Sequence, residues 1–233
     1  MTLVSTIGPL AAYAAAFQTI VYFLLPRHLR TRWAPLVTGS VGAGVVVLAG
    51  SIFGFGRIGL GSVEPGVVIF WAVVTAAIVS VVGLTMLAMP KLRTALADPR
   101  LASLSARESF VQIFVRIPVM TALIEEAVFR GVLHSALMAL YPEPTAIWLG
   151  AGLFGVWHIG PGLDQAESSD AGTLAGWIHT IVTVVATTVA GAALVWLRLE
   201  TGSIWAGVAV HAALNMTMAL FARRAGRSIT AIS

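Results

Sequence analysis

"ALIEEAVFRGVLH", residues 122–134, sets two adjacent carboxylates and an arginine inside a run that otherwise reads as apolar helix. Charges in an apolar helix cost free energy unless they are paired or face a polar cavity. Glu125, Glu126 and Arg130 therefore need a reason to be there, and the rest of the chain says what surrounds them. Of its 233 residues, 58% are hydrophobic and only 10% charged, far from the roughly 25% charged residues of a soluble domain. Mean hydropathy is +0.92. Apolar stretches of about 20 residues, the length of a bilayer crossing, recur from end to end, and no polar block is long enough for a separate soluble domain. The reading is all-α: a single integral membrane domain over residues 1–233, folded as a polytopic bundle of transmembrane helices.

Seven spans are expected, near residues 3–25, 34–54, 67–89, 110–140, 145–160, 173–197 and 203–222. An eighth arises if Ser109–Tyr141 is two elements, because that segment is long for one crossing and Pro118 removes an internal hydrogen bond. The fifth is short and is expected to end inside the bilayer. The first lacks a positive n-region and reads as a retained span, not a cleaved signal. Glycines of the second span, Gly50 and Gly54 among them, fit close helix packing.

Lys and Arg cluster between spans: Arg27, Arg30 and Arg32 after the first, Lys91, Arg93, Arg100 and Arg107 after the third, Arg223, Arg224 and Arg227 after the last. Positive short loops stay cytoplasmic, which puts the N-terminus outside and the C-terminus inside; only Arg57 and Arg198 fall on the other side. The net charge of +4 is thus spread between apolar segments instead of forming a nucleic-acid patch. Its partner is the anionic lipid surface of the bilayer. Lys91–Arg107 reads as an interfacial amphipathic helix or a solvated loop, and Gly160–Gly172, "GPGLDQAESSDAG", as a surface loop. The chain has no cysteine, which excludes disulfides, thiolate metal sites and a cysteine nucleophile.

Helical spacing sorts the intramembrane polar residues. Glu126 and Arg130 are four apart and can pair on one face. Glu125 is turned about 100° away, free to face a cavity. His211 and Asn215, also four apart in "HAALN", aim two donors at one place, suited to a developing oxyanion. In "FGVWH", Phe154 and His158 share a face. Together Glu125, His158, His211 and Asn215 offer a base, a polariser and oxyanion donors for water attack on an amide. His134 and His179 read as helix–helix hydrogen-bonding groups. Composition and spacing alone leave a catalytic site and an ion or proton pathway both open.

"EEAVFR", "FGVWH" and "HAALN" resemble, in order, the EExxxR, FxxxH and HxxxN motifs of the CAAX-processing and bacteriocin-processing (CPBP, or Abi) intramembrane proteases. "RLETGSIWAGVAVHAALN" is similar to that family's third-motif neighbourhood, and the resemblance covers residues 109–222 as a catalytic core. It implies an endopeptidase hydrolysing a peptide bond near the cytoplasmic face of a bacterial plasma membrane, on a membrane-associated peptide or protein substrate. It implies Glu125 and His158 as water activators, His211 and Asn215 as oxyanion donors, and Glu126, Arg130 and Phe154 as supporting residues. The resemblance leaves the metal open, since the family is described both as metal-dependent and as glutamate-dependent; the expectation is a site without cofactor, with Zn²⁺ on Glu125, His158 and His211 as the metal version. A non-catalytic scaffold or immunity-type protein and an ion-coupled transporter are the alternatives.

Overall fold

The computed structural model describes residues 27–168 and 173–230. In chain order its helices are α1 (Arg27–Phe53), α2 (Pro65–Ala88), α3 (Pro90–Leu96), α4 (Pro99–Ser103), α5 (Ala106–Val111), α6 (Ile124–Glu126), α7 (His134–Met138), α8 (Glu143–Trp157), α9 (Ile159–Ser168), α10 (Thr173–Thr201) and α11 (Trp205–Thr230). No strand occurs among the described residues. Proline writes much of this punctuation. Pro65, Pro90 and Pro99 each open a helix, where a missing N–H costs nothing and the fixed φ already suits the first turn.

Five helical stretches are long and apolar enough to cross a membrane: Leu36–Phe53, Gly56–Ala88, Glu143–Ala166, Leu174–Thr201 and Trp205–Ile229. They answer five of the expected spans. The expected span at 3–25 lies outside the described residues. The one at 110–140 is helical but broken in character: Gln112–Leu123 and Ala127–Leu133 wind as wider π-type turns on either side of α6. Pro118 lies inside the first of these, and its missing N–H and ring crowding work against regular α winding there.

Two expectations need correction. "GPGLDQAES" is not a loop: residues up to Ser168 form α9, with Pro161 in its first turn where proline is tolerated and Gly162 lying against Thr180 of α10. Gly54 is not a packing glycine. It sits at φ +92 beyond the end of α1 with no atom near its missing Cβ, the left-handed position that commonly ends a helix. Lys91–Arg107 is helical, but as short pieces cut at Pro99 and capped by Asp98 and Ser105.

The chain divides into two compact units. The first gathers the described residues up to Ser62 and from Ile124 to Gly207; the second takes Val63–Leu123 and Val208 onward. In the first, α8 packs along α10 and α9 folds back on α10. The close approach of α8 and α10 depends on small residues: a Cβ on Gly155 would lie 2.8 Å from the Val184 carbonyl oxygen, and one on Gly191 3.3 Å from Ala151 Cα. The turn after α1 is docked by Ser203, whose hydroxyl donates to the carbonyls of Gly59 (3.2 Å) and Gly61 (3.0 Å), and by the Ile204 N–H on Gly59 (2.9 Å). In the second unit the end of α11 lies against α4: Arg223 and Arg227 donate to the Leu104 carbonyl at 3.1 and 3.2 Å.

Candidate active site

The buried pair comes first, because the remaining groups are arranged on it. Arg130 Nη1 donates to Glu126 Oε1 at 2.9 Å, with the two side chains 2% and 0% exposed. A pair so deep repays its desolvation only with good geometry and further contacts, and both are present. The Arg130 guanidinium carbon stands 3.9 Å over the centre of the Phe154 ring, a cation–π contact that gains from exclusion of water. Gly191 and Gly207 leave the space these groups occupy: a Cβ would lie 3.4 Å from Arg130 Nη2 in the first case and 3.1 Å from Glu126 Oε2 in the second.

Phe154 connects this pair to the next polar group. Its ring meets the His158 ring edge-on at 4.6 Å and the Phe129 ring at 5.1 Å. His158 stands where α8 gives way to α9, with φ −88 and ψ 2, the sparsely used bridge region often found at active sites. Its Nδ1 lies 2.8 Å from the Phe154 carbonyl oxygen. A carbonyl only accepts, so Nδ1 carries the proton, and in the neutral ring Nε2 is the open nitrogen. Nε2 lies 4.0 Å from Glu125 Oε2, with both side chains partly accessible at 17% and 14%.

Glu125 is held from its other side by a residue that sequence reasoning did not single out. Trp157 Nε1 donates to Glu125 Oε1 at 3.3 Å, and its ring packs edge-on against Phe129 at 5.4 Å. The signal was available in "FGVWH": an indole N–H only donates, and when buried it seeks an acceptor. Adjacent residues on a helix end can close on one carboxylate from two directions. The first unit thus brings Glu125, Phe154, Trp157 and His158 together, with Glu126 and Arg130 alongside.

The remaining candidates lie on other elements. His211 and Asn215 are four apart on α11 in the second unit, His211 buried and Asn215 half-buried. His134 is buried in the first unit, yet among the described residues neither ring nitrogen meets a hydrogen-bond partner, so it does not make the interhelical bond expected of it. His179 is exposed on α10. Among the described residues no three His, Asp or Glu side chains are gathered as a metal site requires.

Five apolar helices of membrane-spanning length mark an integral membrane protein, and a sealed ion pair beside a carboxylate–imidazole pair gives it a polar site among its helices. The family model described as Rce1-like, type II CAAX prenyl endopeptidase Rce1-like, matches residues 107–217. Over these residues the chain is similar to the CAAX-processing (CPBP) family of membrane peptidases, and the matched region contains all three motifs. Comparison with curated proteins and with solved structures finds no match.

Proposed function

We propose that the protein is an intramembrane endopeptidase in which Glu125 and His158 activate the water that attacks a peptide carbonyl. The observation that carries this reading is the 4.0 Å separation of Glu125 Oε2 and His158 Nε2. It is too long for a direct hydrogen bond, yet one water can touch both atoms at about 2.8 Å. Glu125 takes a proton from that water as its oxygen adds to the carbonyl carbon. His211 and Asn215 donate to the resulting oxyanion. When the intermediate collapses, the C–N bond breaks and the proton held by Glu125 passes to the leaving nitrogen. Trp157 and the Phe154 carbonyl keep the carboxylate and the imidazole in register for this exchange, as positioning groups.

The substrate is a membrane-associated peptide or protein, cut near the cytoplasmic face of a bacterial plasma membrane, with the N-terminus outside. The distribution of Lys and Arg between spans supports this orientation. The test is hydrolysis of a quenched peptide library by purified protein. Wild type should cleave, with rates unchanged by a chelator. Glu125→Ala and His158→Ala should be inactive, and His211→Ala and Asn215→Ala slower by about 10² to 10³ each, the cost of losing one oxyanion donor. Full activity in Glu125→Ala or His158→Ala would remove the mechanism.

A further inference from the structure

In the second unit, just ahead of the first motif in sequence, a cleft of about 340 Å³ is lined by Leu104, Arg107, Glu108, Val111, Gln112 and Arg116. Its charges do not cancel. Glu108 is committed to the helix start: its carboxylate accepts from the Ser105 N–H at 2.9 Å, completing a capping box, and the hydrogen bonds with the Ser105 side chain and backbone hold its pKa below the usual value. Arg116 meets only the neutral Gln112 side chain, at 3.4 Å, and Arg107 is exposed. Arg223 and Arg227 close in behind Leu104, and their bonds there go to a neutral carbonyl. Two guanidiniums thus line the cleft and two more bond the Leu104 carbonyl at its edge, and among the described residues none of the four is paired with a carboxylate. Immediately beside them Phe110, Val111, Phe114 and Val115 are all strongly exposed, a surface suited to acyl chains and not to water.

We propose that this cleft is a binding site for one anionic phospholipid, its phosphate held by Arg107 and Arg116 and its chains lying over Phe110, Val111 and Phe114. Arginine suits the role because its planar fork pairs with phosphate oxygens in two places at once. Basic pockets at helix ends on the cytoplasmic side are a recurrent way of holding such headgroups. The site does not depend on the peptidase reading and would hold in a protein that cleaves nothing.

Native mass spectrometry of the full chain in detergent, with phosphatidylglycerol or phosphatidylcholine added, tests it. A one-to-one phosphatidylglycerol adduct is expected, weakened about tenfold or more by Arg107→Gln with Arg116→Gln. Phosphatidylcholine should bind far more weakly, and inorganic phosphate should not displace the lipid, since it lacks the chains. Arg107→Lys with Arg116→Lys keeps the charge but not the fork and should bind between wild type and the glutamine pair, which separates a lost site from a misfolded chain. Lys91→Gln with Arg93→Gln removes equal charge outside the cleft and should leave the adduct intact. The proposal is overturned if the glutamine pair binds like wild type, if the Lys91 and Arg93 pair loses as much, or if the two lipids bind alike.

Discussion

Arg130 is sealed from water with one nitrogen on Glu126 and its flat face on Phe154, and this fixes what each neighbouring carboxylate can do. Glu126 serves the guanidinium, whereas Glu125 is reached by the Trp157 indole and stands across from His158. Two substitutions separate these roles. Arg130→Ala strands a buried carboxylate and should destabilise the protein by about 3–5 kcal/mol, read as a lowered thermal midpoint in detergent; replacing both partners by apolar residues of similar size should cost much less. Trp157→Phe keeps the ring and removes only the N–H. A bond from that N–H to a carboxylate is worth about 1.5 kcal/mol or more, so turnover should fall about tenfold while the thermal midpoint falls much less than in Arg130→Ala. An unchanged rate in Trp157→Phe would show that the indole takes no part in holding Glu125.

At the scale of elements, the site depends on helices that approach closely and stop at set places. Gly155→Leu would force α8 and α10 apart where Val184 and Thr188 now lie against the glycine; such overpacking costs about 1–3 kcal/mol and should slow hydrolysis by moving His158. Asp98 caps α4 through the N–H groups of Arg100 and Leu101 and pairs with the Arg100 side chain at 3.0 Å. Burial raises its pKa, but the Arg100 contacts outweigh this and the net shift is downward. Its stabilising contribution is therefore present above the ordinary carboxylate value and is lost as the pH falls through the lower folded value. Asp98→Ala should cost about 1 kcal/mol at neutral pH and little in strong acid, as acid titration of the thermal midpoint would report. The apolar spans, the Glu126–Arg130 pairing and the shared face of Phe154 and His158 are legible in the sequence because each follows from length or from a spacing of four. The π-type winding around α6 is not, since it comes from tertiary packing and an internal proline. Nor is the helix at "GPGLDQAES", whose glycines and proline spell a loop until Gly162 is seen packed on Thr180.

For the whole molecule, the proposed orientation rests on the charge between spans and the proposed activity on the buried polar cluster. The chain contains no cysteine, so a single introduced one reports its side of the membrane. Ser103→Cys, exposed at the end of α4, should react with an impermeant maleimide in inside-out vesicles and not in right-side-out ones; the opposite pattern would reverse the proposed topology. The central claim, that chemistry rests on Glu125 while Glu126 and Arg130 build the site around it, is tested most directly by measuring turnover and thermal midpoint together on purified Glu125→Gln, an isosteric change. The account predicts no detectable peptide hydrolysis with a thermal midpoint close to wild type. Hydrolysis at the wild-type rate by a folded Glu125→Gln protein would contradict it.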